Sequence, residues 1–309
     1  MQKRPLLLAA AMLACGTLSV DAQRGQPASR DLSGTWSNAT MTPLQRPTDY
    51  AQQPYLTEAE AADYERTWLD KFHKNFSAED LLAPDLDYTY MDRMKVVASR
   101  RTSLIVDPPD GRLPPLLPAA QSRADARPKE SLDSAEALGL AERCLVDTSF
   151  GSSSSSPPLV PNPFGQNFHQ IVQTPTHVLI YSELVHDSRI IRIGGTHVPS
   201  GVQLWLGDSV GHWEGDTLVV DTTNFGTKTQ FQSSGPRLHV VERFTRVSPT
   251  MIRYQFTVED PETWERPWSA EIPFNATSQH IYEYACHEGN YAMTNVLRGA
   301  RAKEQNVGR

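Results

Sequence analysis

Several signatures that would name a chemistry are missing from these 309 residues. There is no His-x-x-x-His, His-x-His or paired-cysteine spacing, and His169, His177, His186 and His197 follow no ligand rhythm, so no metal site is expected. No Gly-x-Ser-x-Gly elbow, phosphate-cradling loop or dinucleotide fingerprint occurs, so no cofactor is expected either. No basic block is present, Arg100-Arg101 being too short, and the net charge is −7, which argues against nucleic acid as a partner. The one long apolar run, Leu6 to Leu13, is too short to span a membrane permanently.

That run does have a reading. Lys3 and Arg4 precede it and small residues follow, the layout of a secretory signal, with Val20-Asp21-Ala22 offering a cleavage site before Gln23. The expectation is a periplasmic or secreted protein. A lipoprotein anchor at Cys15 is the alternative, although the usual Leu three residues before the cysteine is missing. Loss of Lys3, Arg4 and Asp21 takes the net charge from −7 to −8, an acidic surface suited to solubility.

Of three cysteines, cleavage leaves Cys144 and Cys286. Two leftover thiols in an oxidising compartment are expected to pair. The competing reading makes Cys286 and His287 a nucleophile and base or metal ligands, but an exposed thiolate oxidises readily and adjacent strand residues point to opposite faces.

The chain divides by pattern. Residues 1–22 read as the signal and 23–117 as an N-terminal strand, helix and hairpin packing on a barrel. In "LTEAEAADYERTWLDKF", Thr57 and Glu60 form a capping box ahead of Tyr64, Trp68, Leu69 and Phe72 at helical spacing. "SLIVDPPDGRLPPL" (Ser103 to Leu116) reads as a strand, a turn and an extended return confined to an edge by its prolines. Residues 118–166 are Pro- and Ser-rich, a long and partly mobile insertion with a short helical piece around Ser131 to Arg143.

From 167 to 292 strand follows strand: "HQIVQTPTHVLIYSE", "SRIIRIGG", "VQLWLG", "DTLVVDTT", "LHVVERFTRV", "TMIRYQFTVED", "SAEIPF" and "HIYEYAC", with residues 293–309 as a tail. Tight reversals at Thr-Pro-Thr, Gly-Gly, Glu-Gly-Asp, Ser-Pro-Thr and Asn-Ala-Thr predict antiparallel neighbours. The fold class is mainly β, an antiparallel up-and-down barrel or a sandwich, with an N-terminal helix and a long irregular insertion.

Gly34-Thr35-Trp36 resembles the opening motif of lipocalin-type barrels, where the tryptophan closes the barrel floor. The longer segments "IVDPPDGRLPPL", "HDSRIIRIGG", "WLGDSVGHWEGDTLVVDTTNF", "LHVVERFTRV" and "IYEYACHEGNYAM" together resemble a large family of uncharacterised exported bacterial proteins. That likeness implies no activity, substrate or catalytic residue. The lipocalin comparison implies a fold alone.

Candidate chemistry lies in four places. His186 and Asp187 stand at a strand junction where they can form an acid/base pair, with Arg189 or Arg192 as an anion ligand; a polar turn is the plainer reading. Asp221 shares a face with Val219 in mid-strand and needs a partner if that face is inside. In "HVVERFTRV" either Glu242 or Arg243 must face inward and pair, with Asp221 or Glu283 the expected partner. Glu283 and His287 share a face if that strand runs on. Convergence of Asp221, Glu242 and Glu283 on an imidazole would permit general acid/base work. Trp205, Trp213, Trp264 and Trp268 are dense enough to line a pocket for a flat or apolar ligand, or to be core.

Three functions follow as expectations: a barrel binding a small, mostly apolar or aromatic ligand; a cofactor-independent acid/base enzyme (hydrolase, isomerase or cyclase); and an envelope structural protein.

Overall fold

The computed structural model describes residues 30–75, 93–126, 134–141, 143–146, 156–162, 167–228, 231–288 and 291–307. The signal peptide, Cys15, Ser152 to Ser155 and the start of the short helical piece expected at Ser131 lie outside them.

β1 (Gly34–Ser37) opens a closed nine-strand barrel. It continues through β3 (Phe168–Gln173), β4 (His177–Ser182), β5 (Ser188–Ile193), β6 (Asp208–Glu214), β7 (Thr217–Thr223), β8 (His239–Ser248), β9 (Met251–Glu259) and β10 (Trp268–Ala276), which returns to β1. β2 (Ile105–Asp107) joins the other half of the β10 edge. The barrel expected from the strand pattern is therefore the architecture found, although β1 is a member of its wall rather than a piece packed upon it.

Alternation decides which side chains are inside. Along β7, Leu218, Val220 and Thr222 point in and are fully buried, and along β9 so do Ile252, Tyr254, Phe256 and Val258. Trp36, Phe244, Trp268 and Phe274 complete a core packed by aromatic edges, with Phe244 and Tyr254 ring centroids 4.7 Å apart. Trp36 donates its indole N–H to Leu32 O at 3.0 Å beneath the Arg246 guanidinium, 5.3 Å from the ring. Gly34 makes room: its φ is +144°, and a Cβ there would meet the indole nitrogen at 3.3 Å.

The expected helix is α1 (Glu58–Asn75). Thr57 N donates to Glu60 Oε2 at 2.7 Å and Glu60 N to Thr57 Oγ1 at 3.2 Å, the reciprocal cap read from sequence. Its apolar stripe covers Met41 and Met94 in a satellite core outside the barrel. α2 (Pro118–Asp125) begins on proline, and the tail proves to hold α3 (Tyr291–Val307).

Three expectations about strands are corrected. β5 and β6 pair parallel, with Ile191 beside Ser209, so the barrel is mixed rather than purely up-and-down. Gly194 and Gly195, at φ +77° and +94°, start a crossover through residues 194–207 instead of a hairpin, and that length suits a parallel return. "VQLWLG" lies in this crossover and contributes only a bridge from Leu204 to Phe225. "HIYEYAC" is no strand: β10 has β9 on one side and β1 and β2 on the other, so it offers no edge to receive it.

Cys144 and Cys286 form a disulfide spanning 142 residues, which ties the insertion to the chain that follows β10. The insertion itself enters the fold. Residues 156–162 run into one end of the barrel, where Ser156, Leu159, Val160 and Asn162 are buried.

Candidate functional site

Two polar assemblies stand out, one inside the wall and one outside. Inside, β8 alternation turns Glu242 inward at zero exposure. Arg189 on β5 supplies a fork, with Nη1 to Glu242 Oε2 at 2.5 Å and Nη2 to Oε1 at 3.0 Å. The Tyr254 hydroxyl donates to Glu242 Oε1 at 2.8 Å and accepts from Leu159 N at 2.9 Å. Burial, and then the charge of Glu242, hold the Tyr254 phenol well above its ordinary range. Nearby His169 shares a 2.9 Å hydrogen bond with Ser182 Oγ and stacks on Phe274. Burial, aided by the charge of Arg189, lowers its pKa to about 3, so the ring is neutral at ordinary pH. This end of the barrel is packed with side chains and its polar groups are largely committed to one another.

Outside, the crossover is pinned by charge. Asp208, 2% exposed, receives Arg192 Nη1 at 2.8 Å, Val198 N at 2.9 Å and His197 Nδ1 at 2.9 Å. Burial alone would raise its pKa, but these hydrogen bonds and the Arg192 charge outweigh it and hold the carboxyl at about 2. His197 Nε2 lies 2.9 Å from Asp221 Oδ1, and His239 Nε2 lies 2.8 Å from Asp221 Oδ2. His239 Nδ1 turns toward Glu259 at 3.7 Å, too long for a hydrogen bond. Asn224, in the left-handed region at φ +59°, donates Nδ2 to Val198 O at 3.0 Å, and its backbone carbonyl accepts from Leu204 N at 2.9 Å. It thereby holds both arms of the crossover. On the same crossover Val202, Leu204 and Trp205 are 46, 41 and 45% exposed.

The outer relay is a chain of Asp208, His197, Asp221 and His239 supported by three different strands and one loop. His239 thus stands between two carboxylates, Asp221 on its Nε2 side and Glu259 on its Nδ1 side.

The residues singled out from sequence are distributed across both assemblies and beyond them. Asp221 and Val219 do share a face, but it is the outer one, because Leu218, Val220 and Thr222 take the inside. Glu242 is the inward member of its pair with Arg243, yet its partner is Arg189 rather than Asp221 or Glu283. Arg243 points outward to Glu214 at 2.8 Å. Glu283 and His287 are exposed on the irregular segment after β10, so the three carboxylates do not converge. His186 is exposed, with Nδ1 3.0 Å from Tyr284 O; Asp187 is half-buried just before β5. Trp264 and Trp268 pack edge to face in the core at 5.9 Å, Trp213 is half-buried under Arg30, and Trp205 alone of the four is open to solvent. They line no common pocket.

His197, Asp208, Asn224, His239, His169 and Tyr254 carry no such expectation from the sequence. A signal existed for His239: it alternates with Val241 and Arg243, and the β7–β8 pairing of Asp221 with Val241 puts His239 diagonal to Asp221 on that face. Among the described residues no group of three or more His, Cys, Asp or Glu is placed to hold a metal ion, and no helix is long and apolar enough to cross a membrane. No protein-family model, curated protein or solved structure matches this chain.

Proposed function

We propose that this is an exported β-barrel protein that binds a small, mostly apolar or aromatic ligand on its outer wall and moves a proton on it, with His239 as the transfer group. The observation that carries the reading is the Asp221 carboxylate clamped between His197 and His239, with His239 Nδ1 on the half-exposed side of the ring, 3.7 Å from Glu259. Asp221 and His239 are only partly covered, so a substrate can reach them, whereas the barrel interior is filled by its own aromatic residues.

In this reading Val202, Leu204 and Trp205 form the apolar shelf, and the relay back to Arg192 fixes Asp221 so that the imidazole keeps its aim. The shelf suits an aromatic ligand because Trp205 offers a broad surface with little entropy to lose. Among the described residues no hydroxyl or thiol nucleophile is hydrogen-bonded to either histidine, which favours activation of water or abstraction of the substrate's own proton over a covalent intermediate. The leader at Lys3 to Ala22 and the Cys144–Cys286 disulfide support an oxidising compartment outside the cytoplasm. Gly34-Thr35-Trp36, with Trp36 buried under Arg246, supports the lipocalin-type comparison for the scaffold.

Native mass spectrometry of protein purified from its own host identifies the retained small molecule. Trp205→Ala is expected to lose it. His239→Ala is expected to keep it and lose any turnover. A His239→Ala or Asp221→Asn protein that processes the ligand like the parent rejects the reading.

A further inference from the structure

Three buried polar atoms at one end of the barrel interior take no part in the bonds around them. Asn38, His169 and Arg189 are 0, 0 and 3% exposed, yet Asn38 Oδ1, His169 Nε2 and Arg189 Nε have no hydrogen-bond partner in the protein. Such groups cost free energy unless something satisfies them. None of the three side chains is free to turn away, because the rest of each is committed. Asn38 Nδ2 donates to Leu159 O at 3.1 Å, His169 Nδ1 faces Ser182 Oγ at 2.9 Å, and both Arg189 Nη atoms hold Glu242.

Strand register gathers them at one place. Trp36 on β1 pairs with His169 on β3, and Asn38, two residues further along the same face, bonds through its N–H to Asn167 O. His169 pairs in turn with Ser182 on β4, and Ile180 of that strand pairs with Arg189 on β5. From the opposite wall the Tyr254 hydroxyl donates to Glu242 and accepts from Leu159 N. Asn38 and Arg189 are therefore the two ends of one hydrogen-bonded chain through Leu159, Tyr254 and Glu242, with His169 on the wall between them.

The chemistry of the three atoms selects a guest. Arg189 Nε–H can only donate and Asn38 Oδ1 can only accept, while the neutral His169 ring, with its pKa at about 3, donates from one nitrogen and accepts at the other. In either tautomer the guest must donate and accept at once. A hydroxyl does both. A metal cation or an ammonium has nothing to accept the Arg189 proton, and a halide or carboxylate has nothing to give Asn38 and would meet the Glu242 charge. A water molecule with about three partners is the ordinary occupant of such a place. The buried indole N–H groups of Trp264 and Trp268, which pack edge to face, are donors alone and make no comparable set.

We propose that Asn38 Oδ1, His169 Nε2 and Arg189 Nε enclose a binding site for one long-lived water molecule, which joins β1, β3 and β5 and closes the chain from Asn38 to Arg189 into a ring. The site is inside the wall and does not depend on the acid/base reading of the outer relay.

The test is the nuclear Overhauser effect between water and the Arg189 Nε–H, in the full chain labelled with 15N-arginine. A held water gives a cross-peak with the sign of the protein's own internal contacts, and bulk water does not. His169→Phe keeps a ring against Phe274 and Asn38→Leu keeps the volume; each removes one partner of the water and should weaken the cross-peak by about threefold or more. No cross-peak in the parent, or one unchanged in both variants, as exchange through the Tyr254 hydroxyl would give, overturns the proposal. If neither variant folds, a crystal structure of the parent decides. One ordered water at about 2.7 to 3.2 Å from each of the three atoms supports the site. Ordered side chains with no density between them, or density for an ion, overturn it.

Discussion

Arg189 and Glu242 meet inside the barrel from β5 and β8 as a forked ion pair, their side chains 2% and 0% exposed. Two charges removed from water are tolerable only while they face each other, because an unpaired ion there would lose its hydration with nothing in return. Glu242→Gln keeps the shape and removes the charge, leaving Arg189 buried without a counter-ion. A loss of about 3 kcal/mol is expected in denaturant unfolding. The double change Arg189→Met with Glu242→Leu should recover most of that loss; a double mutant no better than the single one would show that the pair's other bonds carry the stability.

His169 gives the protein an acid-sensitive stability. Its imidazole titrates near 6.5 when exposed and at about 3 in the fold, so between those values the unfolded chain binds a proton that the folded one refuses. Stability should therefore fall as pH drops below about 6.5, by up to about 1.4 kcal/mol per pH unit, until the folded pKa is reached. Thermal melting of His169→Gln across pH 4 to 7 should show a flatter slope than the parent.

Asp208 adds a second limb at lower pH. Its folded pKa of about 2 lies below the ordinary 3.8, so its contribution is complete above that value and is lost as pH falls through the interval to about 2. Asp208→Asn should remove this limb and free the crossover. Amide exchange at Val198, whose N–H is bonded to Asp208, is the readout, and it should speed up in the variant at neutral pH.

Cys144 and Cys286 close a loop of 142 residues. Loop-closure entropy assigns such a bond about 4 to 5 kcal/mol, so Cys286→Ser or reduction should lower the melting temperature sharply. Thiol labelling of the unfolded, unreduced protein should find neither residue free.

Asn224 combines a left-handed backbone with bonds to Val198 and Leu204. Asn224→Ala adds strain and loses the side-chain bond, an expected cost of about 2 kcal/mol, whereas Asn224→Gly loses the bond without the strain. Equal melting of the two variants would indicate that the turn contributes no strain.

Features written in a few neighbouring residues are legible in the amino-acid sequence. The Thr57 and Glu60 cap places the start of α1, because its donors and acceptors lie within one turn. Glu214-Gly215-Asp216 makes the β6–β7 hairpin, with Gly215 at φ +58°, and alternation along β7 and β8 correctly sorts side chains into two faces. Alternation does not say which face is inside. Asp221 reads as a candidate interior carboxylate because Val219 beside it is apolar, yet Val219 is buried on the outer side of the wall.

The candidate site is harder to read, since its members meet only through pairing between distant segments. His197 reaches Asp208 and Asp221 because the chain after Ile193 crosses over instead of turning back, and the Gly194-Gly195 pair permits either course. Local chemistry thus determined the helix, the hairpin, the strand faces and the two cysteines left to pair. Tertiary structure decided the rest: barrel closure left no edge for "HIYEYAC", the parallel β5–β6 return assembled the outer relay, and the buried Glu242 took Arg189, the cation that the closed wall set opposite it. A carboxylate's need for a partner is a local property, but the partner's identity depends on which strands the closed sheet brings face to face.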